Sequence, residues 1–184
     1  MMGGIDDEAG HGHAIEKMED LSAPEQLLIC TYRRWIVGMR TNNEAQWNLA
    51  WSDLAECMGS RTTQSILSGL QSIILGIGTY ARRPARLHPP CCGFVGADEI
   101  SFITLIGACQ RREHKLSRRI AEWMVTRNGT ANMLEGAGRI ANALAEREIY
   151  LPDRPHRGEV EIRPLRPEGG RPDNLGASLS VVAR

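Results

Sequence analysis

SAPEQLLICTYRRWIVGMR, residues 22–40, decides how this chain folds. Ser22 stands three residues before Glu25, the spacing of a capping box, in which hydroxyl and carboxylate satisfy backbone donors that a helix start leaves unpaired. Pro24 suits a first helical turn, where its missing N–H costs nothing. Behind it, Leu28, Tyr32 and Trp35 recur at helical spacing, with Leu27 and Thr31 widening the stripe. The period is that of a helix with one face turned to a core.

The same grammar repeats outward from this stretch. Thr41 and Glu44 form a second box at the head of TNNEAQWNLAWSDLAECMG, where Trp47, Ala50, Trp51, Leu54 and Met58 keep helical spacing and Gly59 supplies the stop. A short polar turn between two such helices predicts an antiparallel pair. Ser60 is placed to cap a third helix through Ile66, Leu70, Ile73, Ile74 and Ile77. Its wide apolar arc marks it as the central element, and Pro84 predicts its end near Arg83. A fourth helix starts about Asp98, with Phe102, Leu105, Ile106 and Cys109 inward, and a fifth spans HKLSRRIAEWMVTR from His114. Thr130 is placed to cap a sixth, to about Ile149, which Gly136 and Gly138 weaken. Strand signals are slight. The predicted fold is all-α, a single-domain helical bundle of about five or six helices over residues 22–150.

Both ends read differently. Residues 1–21 hold six acidic side chains and little apolar content, and predict a flexible acidic arm. Its His11-Gly12-His13 reads as a solvated pair. Residues 151–184 carry five prolines, arginines alternating with acids, and Gly169-Gly170. They predict a disordered or loosely ordered tail, with GEVEIRPL as at most one short edge strand.

Composition narrows the function classes. With 42% hydrophobic and 24% charged residues the chain falls in the globular range. Twenty-two basic residues balance twenty-two acidic ones, so no global charge draws it to nucleic acid or an anionic membrane. The longest apolar window, Ile66–Ala81, is too short to span a bilayer, and no membrane association is expected. The acidic start MMGGIDDEAGHGH is the reverse of an export signal, and five cysteines are an odd number. A cytoplasmic protein with reduced thiols is expected. No Gly-x-Ser-x-Gly, His-Glu-x-x-His, phosphate-binding loop or dinucleotide fingerprint occurs, and Gly76-Ile77-Gly78 falls inside a helix.

One loop stands apart. RLHPPCCGFVGADE, residues 86–99, joins two stiff prolines, two adjacent cysteines and an acidic helix start. Cys30, Cys57 and Cys109 fall on or beside apolar stripes and read as core residues. His88, Cys91 and Cys92 lie in the loop and offer imidazole nitrogen and thiolate sulfur, the donors zinc prefers. They are the candidate metal ligands. Adjacent cysteines turn their sulfurs apart, so one of the pair would ligate beside His88, and Cys57, Cys109 or His114 would have to complete the set. The same three residues also define a thiol-enzyme reading, with Arg82, Arg83 and Arg86 near in sequence. Asp98 and Glu99 read as favourable charges at a helix N-terminus. The plainest role for the loop is a stiff corner holding the third and fourth helices.

Eight basic residues between Arg82 and Arg119 face three acids. A nucleic-acid regulator using 111–119 is a further reading, weighed below arginines on a solvated helix face. The reading that leads is a non-catalytic cytoplasmic regulatory or adaptor protein that binds a protein partner, with a structural zinc in the His-Pro-Pro-Cys-Cys loop as its sharper form. A small thiol- or metal-dependent enzyme centred on His88, Cys91 and Cys92 is the alternative.

Overall fold

The first helix begins where the cap pair predicts. In the computed structural model, which describes residues 16–154, the backbone N–H and hydroxyl of Ser22 both donate to Glu25 Oε2, at 2.8 and 2.7 Å. Helix α1 (Ala23–Thr41) follows, then α2 (Glu44–Met58), α3 (Ser60–Tyr80), α4 (Ala97–Gln110), α5 (His114–Met124) and α6 (Thr130–Ala145). The fold is all-α, as expected. A two-residue strand on each side, β1 (Glu16–Lys17) and β2 (Phe94–Val95), forms an antiparallel ladder.

Several boundaries differ from the sequence reading, each for a local reason. Thr41 is the last residue of α1, its hydroxyl donating back to Val37 O, while Asn42 turns left-handed (φ 50) and Asn43 caps α2 through Ala45 N. The second box is therefore an asparagine cap. Gly59 takes φ 77, open only to glycine without strain, and itself holds the cap position of α3 that Ser60 was expected to fill. Gly129 does the same for α6 in place of Thr130. Helix α3 stops at Tyr80, before Pro84 acts, because Ala81 leaves to bridge Val125 and Thr126 N donates to Tyr80 O.

The centre of the molecule is α4 rather than α3. Every residue from Asp98 to Ala108 is buried, so α4 is enclosed on all sides, apolar around most of its length with the charges of Asp98 and Glu99 paired in its first turn. Helix α3 keeps one wet side, with Leu75 more than half exposed. It packs most closely on α6. A Cβ placed on Gly69 would lie 2.6 Å from Gly136 O, and one on Gly136 would lie 2.6 Å from Gly69 O. The glycine that weakens α6 as an isolated helix is what lets the two backbones meet.

Packing extends on both sides of residues 22–150. Leu21 and Leu151 are buried, Met18 N donates to Gly93 O, and Arg154 pairs with Glu25. The remaining arm and tail, residues 1–15 and 155–184 including the GEVEIRPL segment, lie outside the described residues. Among the described residues no helix is long and apolar enough to cross a membrane.

Candidate functional site

The loop between α3 and α4 is built on a buried ion pair. Arg33, the first residue of the Arg-Arg step in α1, is wholly buried, as is Glu99 in the first turn of α4. Arg33 Nε donates to Glu99 Oε1 at 2.6 Å and Nη2 to Oε2 at 2.9 Å, a bidentate fork. The remaining N–H groups reach the loop backbone: Nη1 to Pro89 O and Cys92 O, and Nη2 to Phe94 O. All five donors of the guanidinium are thereby used. Glu99 completes its own shell with His88 N on Oε1 (3.1 Å) and Gly96 N on Oε2 (2.8 Å). The expected helix-start role of Glu99 is real, but its main work is to hold Arg33.

Around this pair the loop has little freedom. Cys92 N donates to Pro89 O at 3.0 Å, so Pro89-Pro90-Cys91-Cys92 is a closed β-turn with proline at its second position. The two prolines were expected to extend the chain; they turn it. At the loop's start Arg83 forms a second fork on Asp98, at 2.9 and 2.6 Å, and Arg86 N donates to Asp98 Oδ2. The Arg83 guanidinium lies 4.5 Å above the Trp123 ring, and its hydrogen bonds to Asp98 raise its pKa. The loop is a rigid corner, fastened to α1, α4 and α5.

Of the three proposed ligands, two are brought together. Cys92 Sγ lies 3.6 Å from His88 Nδ1, and the His88 ring packs over Gly96. Cys91 is exposed on the turn. Among the described residues no group of three or more His, Cys, Asp or Glu side chains converges as a metal site, so Cys57, Cys109 and His114 do not join the pair. Cys57 is exposed rather than in the core, while burial pushes the thiol of Cys30 up and that of Cys109 up to about 11.

A second feature was not foreseen. Trp35, Met39, Trp47, Gln71, Ile74 and Leu75 line a groove of about 380 Å³ where α1, α2 and α3 meet. Trp47 packs against Gly38 of α1 so closely that a Cβ there would lie 2.5 Å from the indole Nε1. That Nε1 donates to Trp35 O, leaving the two indole rings tilted with centroids 6.1 Å apart. Met39 and Leu75 stand half exposed at the rim, and Trp51, expected inside, is exposed one turn beyond Trp47. The helical periodicity was in the sequence, but nothing in it marked these side chains as lining a hollow.

The basic run is mostly occupied. Arg82 Nε donates to Glu122 O and Val125 O, Arg83 holds Asp98, Arg111 lies between Glu113 and Asp153, and Arg118 faces Glu122. Comparison with protein-family models, with curated proteins and with solved structures gives no match for this chain.

Proposed function

We propose that this chain is a non-catalytic helical adaptor or regulator of the cytoplasm that binds an amphipathic helix of a partner protein in the groove between α1, α2 and α3. The observation that carries this reading is the groove itself. At about 380 Å³ it falls in the range of about 300–1,000 Å³ typical of binding pockets. Its walls are apolar except for Gln71, and three helices frame it, the setting in which a helix inserts apolar anchors at i, i+3, i+4 and i+7. Two tryptophans and a methionine are side chains that binding surfaces favour. The test is site-specific photo-crosslinking in cells from position 75, with position 118 on α5 as control. A discrete protein adduct from position 75 alone, lost on Met39→Asp, is the expected result. Identical adducts from both positions, or none, would overturn the reading.

The thiol-enzyme reading has one observation in its favour, the contact between Cys92 and His88. A catalytic thiol also needs its base oriented by a third group. No described hydrogen bond reaches His88 Nε2, so we expect Cys92 to alkylate with iodoacetamide no faster than the exposed Cys57. A rate tenfold above Cys57, mapped by mass spectrometry, would move the enzyme reading to first place. The nucleic-acid reading is weakened by the arginines already engaged, and any binding should vanish near physiological salt.

A further inference from the structure

We propose that His88 and Cys92 are one half of a zinc site, completed by the same two residues of a second copy of this chain. Distance is the first argument. Two ligands of a tetrahedral zinc, with Zn–S about 2.3 Å and Zn–N about 2.0–2.1 Å, lie about 3.5 Å from each other. Cys92 Sγ and His88 Nδ1 are 3.6 Å apart. The pair therefore stands at the separation it would keep around the ion.

Preorganisation is the second. His88 is fixed by its N–H on Glu99, and Cys92 by its carbonyl on Arg33 and its N–H on Pro89 O. All of these are backbone bonds, so the two side chains are free to ligate without dismantling the anchor. The backbone that carries them has little conformational entropy left to lose on binding.

Incompleteness is the third. Structural zinc takes four protein ligands and catalytic zinc three, and this pair supplies two. Among the described residues none joins them to make three. A twofold axis through the ion doubles whatever one copy offers, because such an interface uses the same patch on both partners. Two copies give Cys₂His₂, a donor set of structural zinc sites. The loop is placed for this: Pro89, Cys91 and Gly93 are exposed around the pair. Phe94 beside them is 50% exposed, a large ring that a facing copy would cover. On binding, each Cys92 thiol gives its proton to solvent and ligates as thiolate. This site is independent of the groove between α1, α2 and α3.

The experiment uses the full chain, stripped of metal, in a His11→Ala/His13→Ala background so that the arm does not compete. Zinc is titrated while native mass spectrometry and sedimentation follow the assembly. The expected result is one zinc per two chains, with monomer converting to dimer and chelator reversing it. Cobalt(II) in place of zinc should show a tetrahedral d–d band with thiolate charge transfer. His88→Gln and Cys92→Ser should each lose zinc uptake and dimerisation by at least tenfold in affinity, while Cys91→Ser keeps both. Every variant retains the backbone N–H and carbonyl that Glu99 and Arg33 use, and unchanged circular dichroism checks that the fold persists. One zinc per chain without dimerisation, dimers indifferent to zinc, no uptake at all, or loss of uptake in Cys91→Ser would each overturn the proposal.

Discussion

Arg33 brings five N–H groups into a space from which its side chain is wholly excluded from water, and every one of them finds an acceptor. Removing one partner of such a pair strands the other, at about 3–5 kcal/mol. Arg33→Leu should therefore destabilise the protein by that amount in urea unfolding, because Glu99 loses its buried counter-charge and three loop carbonyls lose their donor together. Arg33→Lys should rescue little of it, since an ammonium cannot reproduce the planar fork. If Arg33→Leu unfolds at the same urea concentration as the parent, the corner does not depend on this pair. The neighbouring Tyr32 gives the opposite case. It is buried and stacked on Phe102 at 4.6 Å, yet its hydroxyl has no hydrogen-bond partner among the described residues, and burial pushes its pKa well up. Tyr32→Phe keeps the stack and deletes the unpaired hydroxyl, so it should be neutral or stabilise by up to about 1 kcal/mol in the same assay. Neither role was legible in the sequence. Nothing near Arg33 in the sequence singles it out, and its partner lies 66 positions away. Local spacing reveals caps and stripes; it does not reveal which distant charge a buried one meets.

At the scale of helices, the glycine crossing of α3 and α6 sets propensity against packing. Alanine is favoured over glycine in a helix interior by about 1 kcal/mol. At Gly136 a Cβ would meet backbone, Gly69 O at 2.6 Å, with Ile73 Cγ1 at 2.8 Å, and a backbone atom cannot swing aside. Gly136→Ala should therefore destabilise, by about 1–3 kcal/mol net or more, as overpacking does. Gly138→Ala, with nothing within 4 Å of its Cβ position, should stabilise by a few tenths to about 1 kcal/mol. The two thermal melts, taken as a pair, separate propensity from contact; equal shifts for both would mean the helices are not so close. The elements themselves were legible because apolar residues recur every three or four positions along each of them. What was not legible is which helix the others surround. The wide stripe of α3 suggested the centre, but a helix buried on all sides carries no stripe at all, and ADEISFITLIGACQ in α4 shows that signature instead. Exposure at Trp51 and Cys57 follows from the same limit, since a period gives the face and not what covers it.

At the scale of the whole molecule, the described helices are tied together by residues 151–154, which the sequence placed in the tail. After α6 the chain runs back across the end of α4. Gln110 accepts from Leu151 N and donates to Ile149 O, Leu151 is buried, and Arg111 reaches Asp153. Arg154 then reaches Glu25 at the first turn of α1, which it engages through Nε at 2.6 Å and Nη2 at 3.1 Å. Proline density argued for looseness here, and Leu151 and Arg154 outweigh it because they find a core and a buried carboxylate. Burial alone would raise the Glu25 pKa, but hydrogen bonds from Arg154 and Ser22 prevail, and the carboxyl is held below its ordinary value. A carboxyl whose pKa is depressed by folding contributes stability above its unfolded pKa, and that stability is lost as pH falls through the folded one. With an unfolded glutamate near about 4.3, the contribution should be full at neutral pH and decline once the pH drops below about 4.5. Arg154→Ala should cost about 1–3 kcal/mol at pH 7, less than a fully buried pair because the arginine keeps some contact with water. The deficit should shrink in acid, as the parent also loses its carboxylate. Urea unfolding of both proteins across pH 3–7 measures this difference directly. A deficit that stays constant to pH 3 would mean that Arg154 acts by packing alone, and that the charge of Glu25 does not fasten the segment after α6 to the first turn of α1.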